Sequence, residues 1–160
     1  GHFIGMSEVV YRLLRITSPD SLFMGQKDFQ QFSIIRKLIT DFQMPIQLVM
    51  CPTVREANGL AMSSRNVRLS PEARDKAGVI FNILTSGKML FEQKTPAKYV
   101  QDIALDALRK VNFDPEYFEV VNGYTLEPVE HMEDAEQIVA CCAVKVEGVR
   151  LIDNMIWKEE

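Results

Sequence analysis

The sequence predicts an α/β fold in which a parallel βαβ layer is followed by a small α+β domain with an antiparallel sheet. Three observations carry this. Two short apolar runs, residues 21–24 and 47–51, flank a stretch with helical periodicity, which is the pattern of a βαβ unit. Residues 53–69 then form a polar stretch without periodicity. Beyond it, runs rich in β-branched residues end in two strands joined by Glu147-Gly148, an antiparallel hairpin signal. The change of pattern near Ser70 divides the chain into residues 1–70 and 71–160.

Each element has its own signal. From Met6 to Ile16 the residues Val9, Val10, Leu13, Leu14 and Ile16 recur at helical spacing, and Thr17-Ser18-Pro19 ends the run. Ser21 to Met24 is a strand closed by Gly25. From Asp28 the residues Phe29, Phe32, Ile35, Leu38, Ile39 and Phe42 mark one face of a second helix. Gln47 to Cys51, stopped by Pro52, reads as a buried parallel strand. Ser70-Pro71 offers an N-cap followed by proline at the first helical position, and the helix it opens is predicted to continue to about Phe91. Thr95-Pro96 opens a further helix reaching about Val111. Tyr117 to Val121, Ile138 to Val146 and Arg150 to Ile156 are the predicted strands of the second part.

Composition removes several function classes. Of 160 residues, 47% are hydrophobic and 25% charged, the balance of a globular protein with a sizeable core. A net charge of -4 with scattered Lys and Arg argues against nucleic-acid binding, which needs clustered cations. No apolar run approaches the roughly 20 residues that cross a bilayer, so no membrane partner and a cytoplasmic location are expected. Cys51, Cys141 and Cys142 fit neither a disulfide framework nor a zinc cluster, and His2 and His131 lack a second ligand nearby; no protein-built metal site is predicted. The chain opens at Gly1 without an initiator Met, as a fragment or processed chain would.

Two stretches could do chemistry. Gly25-Gln26-Lys27-Asp28-Phe29-Gln30-Gln31 lies where a strand meets a helix start, the end of a parallel sheet at which ligands bind. Lys27 could neutralise a phosphate there, and Gln31, four residues on, would share its helix face. A capped, solvated helix start accounts for the spacing equally well. In the loop from Pro52 to Asn66, Ser63 and Ser64 supply adjacent hydroxyls and Arg65 a permanently charged guanidinium, groups able to wrap a triphosphate. A polar surface loop would have the same composition.

The combination is more specific than either part. His2-Phe3 with Gly5, Pro19-Asp20, Gly25-x-Lys27-Asp28-x-Gln30-Gln31, Pro52-Thr53-Val54-Arg55-Glu56, Gly59 through Asn66, Leu126-Glu127-Pro128 and Leu151-Ile152-Asp153-Asn154 together resemble the pantothenate synthetase (pantoate–beta-alanine ligase) family. Order and spacing agree over nearly the whole chain. Met62-Ser63-Ser64-Arg65 corresponds to the lysine-serine loop of the wider nucleotidyltransferase superfamily. Asn58 stands where the family pattern has Asp, and Arg68 where it has an aromatic.

The resemblance implies the carboxy-terminal half of a Rossmann-like nucleotidyltransferase domain in residues 1–70 and a lid domain in 71–160. It implies condensation of pantoate with β-alanine through pantoyl adenylate, with ATP and Mg2+ required. Carried over by position, Lys27, Ser63, Ser64 and Arg65 hold phosphates and are the catalytic set. Gly25, Asp28, Val54 and Met62 line the nucleotide, and Val9, Val10 and Gln31 contact pantoate. The family's HxGH motif has no counterpart here, so these residues are expected to be inactive alone and to belong to an enzyme that is homodimeric when intact. Two other readings stand beside this one: an isolated non-catalytic folding or interaction module, and another nucleotidyltransferase.

Overall fold

The computed structural model describes residues 1–159 and has the α/β organisation that the sequence predicts, with a parallel strand pair and a separate antiparallel sheet. The order is α1 (His2–Thr17), β1 (Ser21–Gly25), α2 (Phe29–Asp41), β2 (Gln47–Cys51), α3 (Pro71–Lys76), α4 (Val79–Glu92), α5 (Ala97–Lys110), β3 (Asp114–Asn122), β4 (Ile138–Val146) and β5 (Val149–Lys158). It divides into two compact units, Gly1–Pro52 and Thr53–Glu160.

In the first unit β1 and β2 pair in parallel, with Ser21 opposite Gln47 and Gly25 opposite Cys51, as a βαβ unit requires. The predicted face of α2 is buried at Phe29, Phe32, Ile35, Leu38 and Ile39, whereas Phe42, just past the helix end, is exposed. Ile35, Leu38 and Ile39 form a small core with Leu14 of α1. In α1 the periodic residues divide: Leu14 is buried and Val10 packs against this core, while Val9, Leu13 and Ile16 are exposed.

The second unit is a three-stranded antiparallel sheet, order β3-β4-β5, whose central strand β4 is buried along almost its whole length. Its core joins Leu84, Val100 and Leu108 of the helices to Phe118, Val120, Ile138 and Trp157 of the sheet. The β4–β5 turn places Glu147 and Gly148 at φ 50° and 76°, two consecutive positive values, as a two-residue hairpin of the predicted kind demands. Ser70 is the predicted N-cap: its hydroxyl accepts from the Ala73 N–H at 3.1 Å and donates to the Glu147 carboxylate at 2.8 Å.

Two features depart from the sequence reading. The helix predicted from Pro71 to about Phe91 is broken between Lys76 and Val79, where the backbone carbonyl of Asn58 closes on Gly78 so tightly that no Cβ would fit. Residues 53–69 also make their contacts inside the second unit. Leu60 and Leu69 enter its core, and Arg55 pairs with Asp153 of β5.

Candidate functional site

In the first unit Gly25, Lys27, Asp28 and Gln31 follow one another from the carboxyl end of β1. Gly25, exposed, closes β1; Gln26–Asp28 form a 3-10 turn, and α2 starts at Phe29. Lys27 in that turn is half-buried, Asp28 is exposed, and Gln31 is half-buried in the first turn of α2. The spacing of Lys27 and Gln31 therefore spans a 3-10 turn and an α-helical turn, not two positions on one α-helix. Val9 and Val10 lie along α1, the first exposed and the second half-buried.

In the second unit the loop is far more structured than its composition suggests. Residues 54–62 form a tight hairpin: the Met62 N–H donates to Val54 O at 2.9 Å, the Glu56 N–H to Leu60 O at 2.8 Å, and Arg55 faces Ala61. Gly59 at its tip has φ 93°, a left-handed conformation that glycine adopts without strain. Asn58 ties the tip to the end of α3. Its amide nitrogen donates to the carbonyls of Arg74 and Asp75, both at 2.9 Å, and its oxygen accepts from the Leu60 N–H.

Three further charged or amide side chains hold the hairpin to the rest of the unit. The Arg55 guanidinium donates to both carboxylate oxygens of Asp153, at 2.6 and 3.0 Å, and stacks over the Phe81 ring at 4.1 Å. Glu56 accepts from Asn66 at 2.7 Å and from Arg74 at 2.8 Å. The Arg74 contact first, and the Asn66 contact second, hold the Glu56 carboxyl below the usual carboxylate range. Asn66, itself buried, also donates to Ala61 O.

The residues singled out for nucleotide contact are placed differently. Val54 and Met62, adjacent across the hairpin, leave their apolar side chains 66% and 54% exposed. Ser63 caps a short 3-10 turn, accepting from the Arg65 N–H at 3.2 Å, and Ser64 and Arg65 are exposed. The loop's polar residues thus divide into a set that fastens it, Arg55, Glu56, Asn58 and Asn66, and a set it displays. Sequence reasoning gives the fastening set no role. Arg55 and Asp153 stand in separate matched stretches, and nothing in a single sequence pairs residues 98 positions apart. Among the described residues, no helix is long and apolar enough to cross a membrane.

A family model described as Pantoate-beta-alanine ligase matches residues 1–156. A pantothenate synthetase from Azobacteroides pseudotrichonymphae genomovar. CFP2 is 39% identical over 161 residues, covering 98% of this chain and 56% of its own length. One from Bacteroides fragilis (strain YCH46) is 40% identical over 162 residues, covering 99% and 56%. Among solved structures, pantothenate synthetase from Thermus thermophilus superposes with a TM-score of 0.89 at 36% identity, over 99% of this chain and 57% of that one. A pantoate-beta-alanine ligase from Francisella tularensis, complexed with beta-gamma ATP and beta-alanine, gives 0.70 at 29% identity, over 98% and 51%. The chain spans little more than half the length of these relatives.

Proposed function

The chain belongs to the pantoate-beta-alanine ligase family, and from that premise we propose that it carries part of the site at which ATP activates pantoate for condensation with β-alanine. In the first step a pantoate carboxylate oxygen attacks the α-phosphorus of ATP, and the bond to the β-phosphate breaks to release pyrophosphate. In the second the amine of β-alanine attacks the acyl carbon of pantoyl adenylate, AMP leaves, and the amine loses a proton. Both steps build or move negative charge on phosphate oxygens, so they need fixed cations and hydrogen-bond donors more than a base.

On this reading Lys27, Ser63, Ser64 and Arg65 meet the phosphates. Gly25, Asp28, Val54 and Met62 lie along the nucleotide, and Val9, Val10 and Gln31 meet pantoate. The observation that carries the reading is the division of labour in the loop: Ser64 and Arg65 are displayed while their polar neighbours are consumed in holding it. The Francisella relative, complexed with beta-gamma ATP and beta-alanine, supports the choice of ligands. On this reading magnesium arrives on the nucleotide's phosphates, as the ion usually does where substrate phosphates supply its ligands.

The same reading gives the 160 residues little turnover by themselves, because they account for 56% of such an enzyme's length. Ser64 and Arg65 are also open to water, where charge stabilisation is weak. The test follows pyrophosphate, AMP and pantothenate together, on this chain and on the full-length protein its gene encodes. Pantoate-dependent pyrophosphate release by the full-length protein, slowed about a hundredfold by Lys27→Ala, is expected. Release without pantoate, or at an unchanged rate in the variant, overturns the assignment.

A further inference from the structure

Arg55 lies in the same loop as Ser63-Ser64-Arg65 and has the charge to bind a phosphate, yet the geometry gives it other work. Its first terminal nitrogen donates to Asp153 Oδ2 and Gly59 O, and its second to Asp153 Oδ1 and Asn154 O. The face of the guanidinium lies on Phe81. Four of the five N–H donors of the fork have protein partners, one π face is covered, and the side chain is only 18% exposed, against 4% for Asp153. Little of Arg55 is left for a ligand.

What this arrangement fixes is the hairpin. Arg55 faces Ala61 across it, and Val54 O, one residue before, accepts from the N–H of Met62, one residue before Ser63. The Gly59 carbonyl at the tip is held by the same guanidinium. Hence the pair sets both ends of the segment leading into Met62–Arg65, and it does so from Asp153, a buried residue of β5. A bidentate, stacked arginine has a single geometry, unlike a lysine ammonium, which is a point charge on a flexible stem.

We propose that Arg55, through Asp153, is a positioning residue that sets the height and direction of Met62–Arg65 for phosphate contact. The proposal rests on the functional reading above. Because the phosphate-facing groups act chiefly on charge that grows in the transition state, a small displacement should slow adenylate formation about a hundredfold while leaving the KM for ATP within about threefold.

The test uses full-length protein in three forms: wild type, Arg55→Lys, and the double variant Arg55→Met/Asp153→Leu. The double variant leaves no unpaired buried charge, so it keeps the fold where a single truncation would endanger it. Two readouts are taken, pantoate-dependent pyrophosphate release and amide exchange at Glu56 and Met62, whose N–H groups close the hairpin. Expected are a rate loss of about a hundredfold in both variants with KM nearly unchanged, and exchange faster by about tenfold at Glu56 and Met62 but not in α4. A lysine variant that keeps most of the rate, or a loss confined to KM, would make Arg55 a phosphate contact and overturn the proposal. Unchanged exchange at Met62 in the double variant overturns it as well. Absence of pyrophosphate release by the wild type sinks the functional reading instead, and the exchange experiment then decides alone whether Arg55 holds the loop.

Discussion

Replacing Gly78 by alanine should weaken the second unit and loosen the loop, although alanine is the better helix former. A Cβ built on Gly78 overlaps the carbonyl oxygen of Asn58 and stands 3.1 Å from that residue's carbonyl carbon and Cβ. Carbon pairs prefer about 3.5–4.0 Å, so the neighbour must retreat by roughly half an ångström or more. Asn58 has no easy retreat, because its amide is bonded to Arg74 O, Asp75 O and the Leu60 N–H. Overpacking of this kind costs about 1–3 kcal/mol. Gly78 has right-handed helical backbone angles, φ -57° and ψ -21°, so alanine would return up to about 1 kcal/mol through reduced unfolded-state entropy. The net loss should be about 1–2 kcal/mol, read as a fall of roughly 1 M in the urea midpoint followed by Trp157 fluorescence. Gly5→Ala in α1 is the control: nothing lies within 4 Å of its Cβ, so helix content by circular dichroism should melt no earlier than in wild type. A Gly78→Ala midpoint equal to or above that of wild type would refute the close approach as a constraint on residue 78.

Three further outcomes follow from the same contacts. Asn58→Asp should destabilise the unit by about 1–3 kcal/mol, since a carboxylate cannot donate to the Arg74 and Asp75 carbonyls; an unchanged urea midpoint would show that the amide does not tie the tip down. Glu56, held down by Arg74 and then Asn66, and Glu147, held down by the Ser70 N–H and hydroxyl, have folded pKa values below their unfolded ones. Their stabilisation is therefore fully present above the unfolded value of about 4.3 and is lost as pH falls through the folded values, so the urea midpoint should be flat from about pH 7 to about 5 and drop below that. A midpoint that rises on acidification contradicts the sign. Burial first, and Asp153 second, push the Cys141 thiol up to about 12 and that of Cys142 higher still, so a thiol reagent at about pH 8 should modify at most Cys51 rapidly in the native chain and all three cysteines in urea.

Local chemistry explains which parts of the fold are legible in the sequence. The face of α2, the Ser70-Pro71 cap, the Glu147-Gly148 turn and the strand Ile138–Val146 each depend on residues within a few positions of one another, and each stands where the pattern puts it. The break at Ala77-Gly78 does not: Asn58, far earlier in the chain, donates its amide to the Arg74 and Asp75 carbonyls that a continuous helix would use, and its own carbonyl stands where a side chain at position 78 would be. The attachment of residues 53–69 to the second unit has the same kind of cause. Leu60 and Leu69 look like isolated apolar residues in a polar loop, and only the folded core reveals where they are buried. In α1, periodicity identifies the helix but not which of Val9, Leu13 and Leu14 is covered.

The site divides along the same line, and Arg55 and Arg65 make the reason concrete. As letters they are equivalent: both are permanently charged, both carry the same fork of donors, and both stand in one loop. What separates them is whether the protein has already filled the fork. Asp153, buried and able to accept from two directions, leaves Arg55 neutralised and fixed, whereas Arg65 extends from a turn that Ser63 caps and remains exposed. A charge already paired at 2.6 Å in a low-dielectric setting adds little further attraction for a phosphate, because its field is largely cancelled by its partner. An exposed one keeps its attraction for a ligand that brings charge and excludes water. A motif can say that both arginines belong; only the position of Asp153 says that one of them is already paired and leaves the other exposed.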